Sequence, residues 1–150
     1  PDEVSERIKK ITEDTLNALD VFSSASHTEI KMTNDGDLYV IETGARMGGD
    51  FIASDLVRLS TGYDFVKGAI DLAINDFSIP LITKSVFSGV YFVSKKTEYL
   101  KKIIESGDRL DSVVEAELYG TPIITVKQSN DRAGHLIYQK KTDKLSIKKE

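Results

Sequence analysis

The run from His27 to Asp50 constrains this chain more than any other. It joins alternating apolar and polar residues to an Asn34-Asp35-Gly36-Asp37 turn and then to a glycine pair at Gly48-Gly49. Asp-Gly supplies the positive φ angles of a tight hairpin loop, so the pattern predicts strands over 28–33 and 37–42. With Asp35-Gly36 as a two-residue loop, Thr33 faces Leu38, Met32 faces Tyr39, Lys31 faces Val40, Ile30 faces Ile41 and Glu29 faces Glu42. Two carboxylates directly opposite repel one another. They need a counter-ion, either a divalent cation that takes oxygen ligands or the nearby Lys31 in a surface network. A three-residue Asn34–Gly36 loop with a bulge would instead shift the pairing by one and part the glutamates. Alternation favours the first count. It gathers Ile30, Met32, Tyr39 and Ile41 on a core face and leaves Glu29, Lys31, Thr33, Leu38, Val40 and Glu42 on a half-polar one.

The residues next to this hairpin suit an anion. Arg46 follows Glu42 by four positions, and a guanidinium there can hold phosphate or carboxylate through paired hydrogen bonds, or close a salt bridge to Glu42 or Asp50. Gly48-Gly49 lets backbone approach an anion at a helix start, or simply makes a tight strand-to-helix turn. His27 precedes the first strand and is a candidate contact to phosphate or substrate, with a structural role as the alternative. There is no GxGxxG and no GxxxxGK[ST] sequence, so neither a dinucleotide fingerprint nor a P-loop is present. His135 and Arg132 receive no role; Arg132 is expected in an exposed polar turn.

The 150 residues fit one domain, or a small domain with an appendage, and six Phe and six Tyr allow a core. A net charge of -4 argues against nucleic acid as a partner. Without cysteine there is no disulfide and no thiolate zinc site, and a reducing, cytoplasmic compartment is permitted. No apolar run is long enough to span a membrane, and no signal peptide is visible. The first residue is Pro1 and the chain opens as though inside a helix, so a piece of a longer protein is expected.

Periodic Val4, Ile8, Ile11, Thr15 and Leu19 predict a helix over 3–20. Asp50 is expected to cap a helix over 51–59 that ends near Thr61-Gly62, and Asp64 one over 65–75 that buries Phe65, Ala69, Leu72 and Ala73. A boundary near 76–84 introduces a β-rich unit: strands at 86–94, 113–118, 123–126 and 135–140, a helix over 97–105, and a polar tail from Lys140 that frays. The expected division is therefore 1–78 and 79–150, an α+β fold with an antiparallel sheet and flanking helices, then a small β-rich extension.

Three segments carry a resemblance: His27–Lys31, Leu38–Asp50 (LYVIETGARMGGD) and Leu56–Ala69 (LVRLSTGYDFVKGA). They resemble the ATP-grasp superfamily, nearest to carbamoyl-phosphate-synthase large-chain-like proteins and related carboxylate–amine ligases. The likeness covers about half of the chain, and Ser129–Gly134 (SNDRAG) resembles, less specifically, the carboxy-terminal extension of such ligases. It implies the second, carboxy-terminal ATP-grasp subdomain. Glu29 and Glu42 take the place of the magnesium (or manganese) ligands, and Arg46 that of the catalytic phosphate or acyl-phosphate contact. Arg46, Gly48, Gly49 and His27 are then the ATP-binding set. In the family's Glu-x-Asn-x-Arg pattern the asparagine position is Gly44 here, which removes one ligand side chain.

The resemblance further implies an ATP-dependent ligase acting through an acyl phosphate, with a small carboxylate and an amine or ammonia as substrates. The other half of the nucleotide grip has no counterpart in these residues and is expected in cis or in trans, so the 150-residue chain alone is expected to be inactive. A non-catalytic binding or assembly module, or the partner subunit of a split enzyme, is the alternative.

Overall fold

The computed structural model describes residues 3–107 and 111–147. Contacts divide the chain into two units, residues 1–53 with 64–80, and residues 54–63 with 81–150.

In the first unit, helix α1 runs Glu3–Ala18. It stops short of the expected 20: Asp20 turns left-handed (φ 55°) and Leu19 stays 56% exposed. Strands β1 (His27–Met32) and β2 (Leu38–Gly44) pair antiparallel as the hairpin. The Arg7 Nη2 group donates to the Gly36 carbonyl at 2.7 Å and so ties α1 to the turn. Helix α3 (Phe65–Ala73) starts where expected, with the Asp64 carboxylate accepting from the Lys67 amide at 2.9 Å. Phe65, Ala69 and Leu72 are half-buried, but Ala73 is exposed, because the helix ends there and turns away.

The segment after Gly49 differs from expectation. Asp50 and Phe51 both have positive φ (52° and 64°), so Asp50 is not the extended N-cap residue predicted for it. A π-helical turn, Ile52–Leu56, leads into the short helix α2, Val57–Thr61. That helix does end at Gly62 as predicted, with φ 83° and the Gly62 amide returning to the Arg58 carbonyl at 2.9 Å.

The second unit carries a three-stranded antiparallel sheet in the order β3-β5-β4, from β3 (Phe87–Val93), β4 (Val113–Leu118) and β5 (Gly134–Lys140). Helix α4 (Tyr99–Ser106) follows β3 and ends at Gly107, φ 66°. Val93, Leu100 and Ala133 form the buried centre, with Tyr91, Tyr99, Ile103, Leu118 and Ile123 packed around them. The central strand β5 is buried from Gly134 through Tyr138. Residues 123–126 form no strand. They follow Pro122, which has no N–H to donate, and Ile124 instead accepts from the Lys95 amide at 2.9 Å. The tail is not frayed over the described residues: Tyr91 donates its hydroxyl to the Leu145 carbonyl and Ile147 packs on the core.

The sheet leaves no room at Gly134, where a Cβ would collide with the Glu117 carbonyl oxygen across the β4–β5 pair. Overpacking of this kind costs roughly 1–3 kcal/mol. Gly134→Ala should therefore lower the unfolding free energy measured by urea titration by an amount in that range, and an unchanged value would mean the strands are not paired in this register.

Candidate functional site

The hairpin brings Glu29 and Glu42 together by a route the residue pattern does not suggest. Its loop is the three-residue one: the Thr33 amide donates to the Asp37 carbonyl at 2.9 Å, and Gly36 sits at φ 87°. Pairing then runs Met32 to Leu38, Lys31 to Tyr39 and Ile30 to Val40, one residue off the expected register. A second irregularity between Glu29 and Ile30 leaves Ile41 unpaired, and beyond it Glu29 stands opposite Glu42, Thr28 opposite Thr43 and His27 opposite Gly44. The expected core face changes accordingly. Val40 and Leu38 are half-buried, while Tyr39 and Ile41 are 54% and 62% exposed.

Strand alternation now puts His27, Glu29, Glu42 and Gly44 on one face, and Thr28 and Thr43, hydrogen-bonded to each other, on the opposite one. Both glutamate side chains are more than half exposed. Glu29 has the His27 ring as its neighbour, with Nε2 3.7 Å from Oε1. Glu42 has Arg46, whose Nη2 lies 3.3 Å from Oε1 while Nη1 donates to the Met47 carbonyl at 3.0 Å. Lys31 stands opposite Tyr39 and, two residues beyond Glu29 on β1, shares this face, with both side chains exposed. Exposed pairs such as Arg46–Glu42 contribute only about 0.2–1 kcal/mol, so Arg46 can exchange its carboxylate for an anionic ligand at little cost.

Gly48 is set by packing. A Cβ there would lie 2.9 Å from His27 Nδ1 and 3.2 Å from Ile52 Cγ2, so the missing side chain lets the histidine ring lie against the backbone. Gly49 has nothing within 4 Å of the same position and is open. At Gly44 a Cβ would meet Arg46 Cγ at 3.4 Å, an ordinary contact, so this position tolerates a side chain.

Solved structures share the fold of this chain. An L-amino acid ligase from Bacillus licheniformis superposes with a TM-score of 0.70 at 23% identity, covering 93% of this chain. A phosphoribosylglycinamide synthetase from Anaerococcus prevotii superposes with a TM-score of 0.66 at 18% identity, covering 95%. The fold is part of an ATP-grasp fold. The chain spans 38% of the length of each of these two proteins. No family model and no curated protein matches the sequence. The α+β class, with antiparallel sheets and flanking helices, agrees with an ATP-grasp subdomain.

Elsewhere in this partial ATP-grasp fold, two residues without an assigned role are firmly held. Arg132 is half-buried, with its guanidinium carbon 3.7 Å from the centre of the Phe92 ring, and not simply solvated as expected. His135 is 1% exposed and bonds to the Tyr119 hydroxyl at 2.8 Å and to Glu115 at 3.1 Å. The alternation of Glu115 and Glu117 on β4 with Tyr119 just beyond it was the available signal, but its histidine partner is recognisable only once β4 and β5 are paired.

The two glycines separate cleanly by experiment. Gly48→Ala should displace the His27 ring and move its Cε1–H resonance, whereas Gly49→Ala should leave that resonance in place. Equal effects from both would contradict the close packing at Gly48.

Proposed function

We propose that this chain is the carboxy-terminal portion of an ATP-dependent carboxylate–amine ligase, and that Glu29 and Glu42 hold Mg2+ (or Mn2+) against the phosphates of ATP. The observation that carries the reading is the direct pairing of these two carboxylates on neighbouring strands, flanked by His27 and Arg46, within an ATP-grasp fold. The donor set suits the ion: magnesium takes oxygen ligands, needs few from protein, and completes its shell with water and phosphate. Bound there, it would neutralise phosphate charge.

The residues of this chain then divide the work. Arg46, released from its exposed pair with Glu42, is the catalytic contact, holding the transferred phosphoryl group and the oxygens that gain charge. The Gly48-Gly49 backbone and His27 line the same phosphate-binding face. A substrate carboxylate oxygen attacks the γ-phosphorus and ADP leaves. The amine nitrogen of the second substrate then attacks the acyl carbon, phosphate departs and the amine loses a proton. No protein nucleophile is needed.

The first unit supports a larger assembly. Among its described residues only Ala53 and Gly68 are buried, while Phe22, Ile41 and Ile79 are 75%, 62% and 90% exposed. We take the rest of the ATP-grasp core, in cis or in trans, to cover this surface. Neither nucleic acid nor membrane is proposed as a partner; no helix among the described residues is long and apolar enough to cross a membrane. The cysteine-free sequence permits the cytoplasmic location we assign.

A second reading, a non-catalytic binding or assembly module, is favoured by Gly44, which offers no side chain at the position of the family's third ligand. One experiment separates the two. In the ligase assembled with the remaining ATP-grasp region, Glu29→Gln or Glu42→Gln should cut turnover by about 10²-fold or more. Because both side chains are exposed, the melting temperature should hardly move. Unchanged turnover would remove the residue from the site, and absence of turnover in the unaltered assembly would favour the non-catalytic module.

A further inference from the structure

The second unit holds a separate group of ligand-type side chains that the ATP-grasp reading does not use. Glu115, Glu117 and His135 place their ligand atoms within 4.8 Å of one another, the one such three-residue group among the described residues. We propose that these residues form a divalent-metal site of the zinc type, linking β4 to β5.

The sheet builds the site. Glu117 lies directly opposite His135 in the β4–β5 register, and Glu115, two residues earlier on the same strand, shares that face. An irregularity between Val113 and Glu115 sets this register, much as the Ile41 bulge does in the hairpin. The histidine is buried and the two glutamates are exposed, so the cluster has a fixed inner ligand and an open outer side through which an ion can enter.

The distances fit a small ion. With metal–ligand bonds of about 2.0–2.1 Å, two ligands of a tetrahedral site stand roughly 3.3 Å apart. His135 Nε2 and Glu115 Oε1 are 3.1 Å apart. Glu117 is exposed and offers a carboxylate oxygen within 4.8 Å of both.

The outer contacts are also those of a ligand histidine. The Tyr119 hydroxyl holds the other ring nitrogen, Nδ1, at 2.8 Å, which orients the imidazole with Nε2 towards the carboxylates. A single proton on Nε2 can satisfy one carboxylate. A dication satisfies both and removes the repulsion between them. A nitrogen ligand beside two carboxylates, without thiolate, suits Zn2+ or a neighbouring first-row ion, with a fourth position left for water.

The test is calorimetric titration of Zn2+ into the tag-free 150-residue chain in a non-chelating buffer. Micromolar one-to-one binding is expected. Loss of even an outer partner typically weakens a metal site by about 10–100-fold, so Glu115→Gln and Glu117→Gln should each weaken binding by at least about tenfold. Both change exposed side chains and should leave the circular dichroism spectrum intact. Glu29→Gln combined with Glu42→Gln should leave this zinc affinity unchanged, which makes the outcome independent of the proposed ATP site. Tyr119→Phe should weaken binding without preventing folding. No binding at micromolar zinc, or an affinity in Glu115→Gln or Glu117→Gln equal to that of the unaltered chain, would overturn the proposal.

Discussion

Ile41 lies unpaired between Val40 and Glu42, and the hairpin changes register by one residue at that point because of it. Without the bulge, the three-residue loop would set Glu29 opposite Ile41 and turn Glu42 to the other face. With it, His27, Glu29, Glu42 and Gly44 come to one side of the ribbon, and Arg46 follows within reach of Glu42. The acid pair is uncomfortable by itself, since like charges directly opposite destabilise a ladder. Its neighbours relieve that only weakly, through exposed contacts of 3.7 Å and 3.3 Å. A local arrangement that leaves two carboxylates under-compensated at the surface is suited to accept a cation, and this is the link from backbone register to proposed chemistry.

The two units differ in how they are held. The second has a true centre in Val93, Leu100 and Ala133, and a strand buried along most of its length. The first has a two-stranded sheet, half-buried helix faces and large exposed apolar side chains. An isolated two-stranded ribbon is marginal in water. We attribute the thin core to the role proposed for this unit, which is to supply one wall of a nucleotide site whose other wall comes from further protein.

Legibility varied with the range of the interaction. Local signals were reliable: Asp64 caps α3, Gly62 and Gly107 end their helices, and the β3, β4 and β5 strands lie within a residue of where alternation puts them. Pairing register was not. The Glu29–Glu42 pair follows from a two-residue loop count, yet the loop has three residues and the pair is restored by a bulge at Ile41, a β-branched residue that gives no warning of one. Asp50 has the composition of an N-cap but adopts φ 52°, since chain direction at the Gly48-Gly49 turn overrides its preference. Gly48 reads as an anion-binding glycine, and its immediate neighbours show the additional demand of the His27 ring. The His135 cluster was invisible because Glu117 and His135 meet only across strands that are distant in sequence.

The most direct measurement is a crystal structure of this chain grown with manganese, read from the anomalous signal. A manganese peak bonded by the carboxylates of both Glu29 and Glu42, with the Arg46 guanidinium on the same face, is the expected result. Carboxylates turned apart, or both engaged by Lys31 with no manganese between them, would contradict the assignment of this hairpin as the cation-binding wall of an ATP site.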